Sequence, residues 1–157
     1  MSEADAFRPI VPWLEPSEHS GVGVLIQDLA GRVLMQLRDD IPGIAGPGKW
    51  CMFGGHIEPG ERILDTAVRE IEEETGLVLN PRDLIPYVLS RSGPATNLLY
   101  VYRTVMDVRP SDVRVHEGCG FGFFNRAQID RLDLIAAYRP VFHHFWHEEF
   151  AQPRMRD

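Results

Sequence analysis

Two periods alternate along the chain. Gly21–Asp28 reads GVGVLIQD, a β-branched apolar run that predicts a strand. Gly31 gives the following LAGR a permissive turn, so Val33–Asp40 is expected to pair back as the second arm of a hairpin. Ile41–Trp50 is rich in Gly and Pro and reads as a loop, and WCMFGG as a short strand ending in paired glycines. From Glu61 to Thr75 the period changes: Leu64, Ala67, Val68, Ile71 and Thr75 recur at helical spacing, and Gly76 supplies a stop. Ile85–Ser92 and Asn97–Val108 are expected as two strands joined through Gly93–Thr96, with Gly120–Asn125 as another. Arg126–Leu132 and Ala136–Phe150 are expected as closing helices, with Pro140 in the first turn of the last. Strands, a helix, more strands and then helices imply an α/β (α+β) protein, arranged as an α/β/α sandwich.

A chain of 157 residues, 44% hydrophobic and 25% charged, has the size and composition of one globular domain. Residues 1–18 are Pro-rich and polar and read as an N-terminal arm, pinned by Trp13 and Leu14. The domain proper is expected over 19–152 and a C-terminal tail over 153–157. The net charge of −7 gives no general attraction for nucleic-acid polymers or anionic membranes. An acidic protein still binds polyphosphate when a divalent cation stands between the charges. The two cysteines, Cys51 and Cys119, are too few for a disulfide scaffold and are expected as free thiols of a reducing compartment. Without a basic start followed by an apolar run, or a stretch long enough to span a bilayer, a cytoplasmic address is expected.

The predicted helix carries Glu70, Glu72, Glu73 and Glu74 within five positions, and like charges at that spacing repel. Glu70, Glu73 and Glu74 share a sector of roughly 100° beside the apolar stripe, while Glu72 points to solvent. Carboxylates crowded on the edge of a packed helix either protonate in part or bind a cation; the bland alternative is a solvated acidic face. An all-oxygen cluster suits Mg²⁺, or Mn²⁺. Just upstream, Gly54 and Gly55 let backbone approach a ligand closely, and a carbonyl there can join a metal shell. Glu61 and Arg69 bracket the helix start, spaced for an ion pair that ties loop to helix.

Gly55–Leu77, GHIEPGERILDTAVREIEEETGL, resembles the Nudix box of the Nudix hydrolases. Every fixed position is met: Gly55, Glu61, Arg69, Glu70, Ile71, Glu73, Glu74, Gly76 and Leu77. The resemblance implies a Nudix-type α/β/α sandwich with a mixed sheet. It implies water attack on phosphorus in a nucleoside diphosphate joined to another moiety. It also implies a metal shell of Gly54 carbonyl, Glu70, Glu73 and Glu74, with Arg69 orienting the cluster and Glu61 anchoring the loop. Glu70 is one candidate general base; Glu117, in the loop before the late strand, is another by similarity to some members. A non-catalytic Nudix-like binding domain is the alternative, and it should show a damaged box. A nucleotide or nucleotide sugar is the expected substrate; Pro94, Tyr87 and Tyr100 do not narrow it.

Arg38 is placed to clamp a phosphate, unless it pairs with Asp39 or Asp40. The sequence GIAGPGKW has the skeleton of a phosphate-binding P-loop, but Trp50 stands where Ser or Thr must hold a metal and a strand follows instead of a helix. Lys49 is then a weak phosphate contact at most, and Trp50 an anchor of a strand end rather than a base-stacking platform. His143 and His147 are spaced for zinc, but no third ligand is evident. The aromatic stretch VFHHFWHEEF and the Trp13 arm offer a surface for a homodimer.

Overall fold

A computed structural model describes residues 1–12, 19–92 and 97–151, with the backbone only at 92 and 149–151. Eight strands form a mixed sheet: β1 (Arg8–Pro9), β2 (Ser20–Gln27), β3 (Val33–Leu37), β4 (Trp50–Cys51), β5 (Gly54–His56), β6 (Ile85–Ser92), β7 (Asn97–Val105) and β8 (Gly120–Phe124). Helix α1 spans Ile63–Thr75, α2 Arg126–Ile129 and α3 Arg139–Ala151. The main strand order is β1-β6-β7-β2-β3-β4, with β5 added to β2 and β8 to β3. β2 runs parallel to β7 and β1 parallel to β6; the remaining pairs are antiparallel.

Both faces of β2 are covered, which is why its sequence is continuously apolar rather than alternating. Val22, Val24 and Ile26 join Ala67 and Ile71 of α1 in one core. Leu25 faces the other way, with Val141, Phe142, Phe145 and Trp146 of α3. The expected sandwich and mixed sheet are therefore both present. β2 pairs with β3 only at its end, Gln27 to Val33, and with β5 at its start, where Gly21, Val22 and Gly23 face His56, Gly55 and Gly54. That split brings the paired glycines beneath α1.

Three expectations change. The first nine residues, expected as part of an arm pinned by Trp13 and Leu14, are held by Phe7, buried edge-on against Tyr100 and Tyr102, and by β1, which extends the sheet beside β6. Trp13, Leu14, Pro94 and the tail 153–157 lie outside the described residues. The apolar residues Val141, Phe142, Phe145 and Trp146 of α3, expected as part of an exposed aromatic surface, pack inside the chain's own second core. Finally, α2 stops at Ile129, three residues early, because the chain turns there to set Leu134 in a bridge with Trp50.

The start of α1 is capped from a distance. Arg62 at the N-cap makes no side-chain cap hydrogen bond. Instead the Glu3 carboxylate accepts from the amides of Ile63 (3.0 Å) and Leu64 (2.8 Å), and from the Tyr102 hydroxyl (3.0 Å). Two open amides of the first turn are satisfied by an acid at the positive end of the helix dipole. At the other end Gly76 adopts φ 73° and its N–H reaches the Glu72 carbonyl at 2.9 Å.

Candidate active site

The site is built where α1 crosses β5. A Cβ at Gly54 would strike the Val22 carbonyl, and one at Gly55 would occupy the space of the Glu70 carboxyl. Glycine is required there for close approach, and the carboxylate fills the space that it leaves. The N–H of Gly54 donates to Glu74 Oε2 at 3.2 Å. Glu74 is only 5% exposed, so a carboxylate lies within the apolar stripe of the helix.

Arg69 organises the acids around it. Its Nε and Nη2 donate to the two oxygens of Glu61 at 2.8 and 2.9 Å, a bidentate pair. Its Nη1 reaches Glu70 Oε1 at 2.9 Å and Glu73 Oε2 at 3.2 Å. Glu61 also accepts from the Thr66 hydroxyl at 2.6 Å and from the Glu58 amide at 3.2 Å. Hydrogen bonds from Arg69, then Thr66, pull the Glu61 carboxyl down to about 2. The expected tie between loop and helix is thus present.

Glu70 and Glu74 move the opposite way. Burial pushes Glu74 up to about 8; the Gly54 N–H opposes this, while Glu117 and Glu70 reinforce it. Burial also raises Glu70 against the pull of Arg69, with Glu73 and Glu117 adding to the rise. Glu117 belongs to a loop fixed at several points. His116 N–H donates to the Glu74 carbonyl at 2.9 Å, Gln36 Nε2 to the Glu117 carbonyl at 2.9 Å, and Cys119 N–H to the Leu37 carbonyl at 2.9 Å. Three acids that the sequence separates by up to 47 positions therefore repel one another across one cleft.

Arg38 enters the same cleft from the end of β3. Its Nε is enclosed without a hydrogen-bond partner, and its charge acts on Cys51 and Glu74. Among the described residues it forms no ion pair with Asp39 or Asp40. Together with Gln36, Ile41, Ile44 and Glu117 it lines a cavity of about 150 Å³. Burial, opposed by Arg38, pushes the Cys51 thiol up to about 11, an inert small core residue, whereas Cys119 is exposed and also free.

The expected three-acid cage is only partly assembled. Among the described residues no group of three or more His, Cys, Asp or Glu side chains is gathered closely enough to hold a metal. The Glu73 side chain is 60% exposed and paired with Arg69. Lys49 Nζ lies 3.5 Å from Asp133 Oδ1 at the surface. Trp50 is packed edge-on to Phe124, an anchor as expected. His143 and His147 meet edge to face, with ring centroids 4.4 Å apart, on an exposed face, and His144 Nε2 lies 3.1 Å from Glu148 Oε1. Tyr87 and Tyr100 are buried in the two cores.

Gln36, Ile41 and Ile44 were not foreseen as part of the cleft. A polar Gln36 inside an otherwise apolar strand was the available signal; Ile41 and Ile44, in a Gly/Pro loop, gave none.

A mixed sheet between two helices, with a glycine pair under an acid-bearing helix, defines a Nudix-type domain. The chain belongs to that family: residues 17–145 match the NUDIX domain. It is 35% identical over 94 residues to the Xenopus laevis m7GpppN-mRNA hydrolase NUDT17, covering 54% of this chain and 31% of that protein. It is 42% identical over 66 residues to the Escherichia fergusonii nucleoside triphosphatase NudI, covering 42% of this chain and 45% of that one. The matches thus span less than half the length of either curated relative. The MutT protein of Methanosarcina mazei shares the fold, with a TM-score of 0.67 at 22% identity over 83% of this chain and 94% of that one.

Proposed function

We propose that this protein is a divalent-metal-dependent hydrolase that cleaves a phosphoanhydride bond in a nucleotide or nucleotide sugar by attack of water on phosphorus. The observation that carries the reading is the pair Glu70 and Glu74. Both are drawn in against the β5 glycines and both are raised by burial, Glu74 further by the charges of Glu117 and Glu70, and Glu70 by those of Glu73 and Glu117. Such a pair is relieved by a cation. The donors present are all oxygen, which fits Mg²⁺ or Mn²⁺ rather than a softer ion. Glu70, Glu74 and the Gly54 carbonyl would hold it, with Glu73 joining on release from Arg69. When bound, such an ion neutralises phosphate oxygens and lowers the pKa of water.

The other residues have separate tasks. Arg69 holds Glu70 in register with the loop through Glu61. Glu70 or Glu117 takes the proton of the attacking water. Arg38, with an unpartnered Nε at the cleft, binds a phosphate oxygen. The two curated relatives, named as a cap hydrolase and a nucleoside triphosphatase, both concern nucleoside polyphosphates. The chain's net charge of −7 favours a small nucleotide over a polymer.

The test is a panel of nucleoside triphosphates, dinucleoside polyphosphates and nucleotide sugars with Mg²⁺, both products being identified. Cleavage that stops with EDTA and falls roughly 100-fold or more in Glu70→Gln is expected. No cleavage of any member, or equal rates in the variant, would overturn the proposal.

A further inference from the structure

The face of the sheet opposite α1 carries a second concavity, of about 580 Å³, between β6, β7, the turn at Pro81–Asp83 and α3. That volume is in the range of small-molecule sites. Arg103 lines the concavity. Side chains alternate along β7, so Arg103 shares the face of Leu99 and Val101, which pack in the α3 core. Its guanidinium carbon is 5.2 Å from the Tyr87 ring centroid and 5.4 Å from that of Phe145. Two aromatic rings therefore hold the group in place, an arrangement that suits guanidinium and leaves its N–H edge for a ligand.

The carboxylates nearby do not neutralise it. Glu148 is engaged by Arg8 at 3.4 Å and by the Tyr87 hydroxyl at 2.9 Å. Among the described residues neither Arg103 nor Arg82 has a carboxylate within ion-pair distance. Arg82 lies on the exposed turn at the rim. Three arginines against Asp83 and Glu148 make the groove locally positive in a chain of net charge −7. Its rim is apolar: Ile85, which pairs with Arg103 across β6–β7, is 59% exposed, and Val105, two residues beyond Arg103, is 57% exposed.

We propose that this groove is a second ligand site that takes a phosphomonoester joined to an apolar, planar body, such as a nucleoside monophosphate. Arg103 and Arg82 engage the phosphate, and Ile85 and Val105 cover the body. The site lies across the sheet from Glu70 and Glu74 and is independent of the proposed hydrolysis.

The test is titration of the full chain with AMP in EDTA, followed by NMR. Saturable shifts at Ile85, Val105 and the Arg103 side chain are expected, and they should persist in Glu74→Gln. Arg103→Ala should weaken binding about tenfold or more and Arg82→Ala several-fold, as expected for lost charge-assisted hydrogen bonds. No saturable shift at these residues, or unchanged affinity in both variants, would overturn the assignment. If Arg103→Ala does not fold, Arg82→Ala carries the comparison alone. Shifts that follow protein concentration rather than AMP would place a second copy of the chain in the groove and would also overturn it. No catalytic assay enters, so this assignment and the proposed hydrolysis fail separately.

Discussion

Helices α1 and α3 are both thirteen residues long and cover opposite faces of one sheet, yet they bury different chemistry. α3 turns Val141, Phe142, Phe145 and Trp146 inward and leaves His143 and His147 outside. α1 turns Thr66, Glu74 and Thr75 inward beside Ile63, Ala67 and Ile71. A helix that serves only packing has no reason to bury a carboxylate, since the ionised form is costly without a partner. The difference separates the face that holds the fold from the face that holds the site.

That contrast breaks if substitutions on the two helices act alike. The largest effect is expected from Glu70→Gln, a loss of roughly 100- to 1,000-fold in kcat measured as nucleotide product release, with little change in melting temperature. Gly55→Ala should follow, about 10- to 100-fold slower, because the added methyl displaces the Glu70 carboxyl. On the other face Phe145→Ala should cost about 3 to 5 kcal/mol in urea unfolding and leave kcat of the folded fraction unchanged. Glu3→Ala is expected to lower stability by about 1 to 2 kcal/mol, through the two amides that it caps.

The smallest effect sharpens the comparison through its sign. Glu74 is raised from 4.5 to about 8, so the folded chain binds more protons than the unfolded one between those values. Its contribution is fully present below pH 4.5 and is lost as pH rises through about 8. Glu61, lowered from 4.5 to about 2, acts in reverse: its contribution is present above pH 4.5 and lost as pH falls through about 2. Metal-free protein should therefore melt lower at pH 9 than at pH 6, and Glu74→Gln should flatten that slope. At pH 9 the inactive variant is expected to be the more stable by about 1 kcal/mol, read by differential scanning calorimetry. A wild type that is equally stable at both pH values would remove the electrostatic distinction.

The site was legible where its information is local. Nine fixed positions within Gly55–Leu77 specify one glycine of the pair, the anchor and the acids at once, because one loop and one helix carry them. The strands were legible for the same reason: β2 and β7 are long, apolar and bounded by turn residues. What could not be read depends on distant contacts. Phe7 is a single apolar residue in a polar stretch, and nothing near it says that Tyr100 and Tyr102 leave a place for its ring. The α3 aromatics showed that something must cover them, but not that the sheet of the same chain does. Helical geometry gives the direction of Glu73 and not its rotamer, so its pairing with Arg69, a neighbour one turn away, could not be read.

Glu3 and Phe7 precede the stretch that matches the family, which begins at residue 17. A fragment cut to that boundary would look complete by homology. It would nonetheless leave the amides of Ile63 and Leu64 without acceptors and uncover two tyrosine rings. Such trimming would loosen the very helix from which the acids project, so a weak or inactive fragment would report on the missing brace and not on the chemistry of the whole chain.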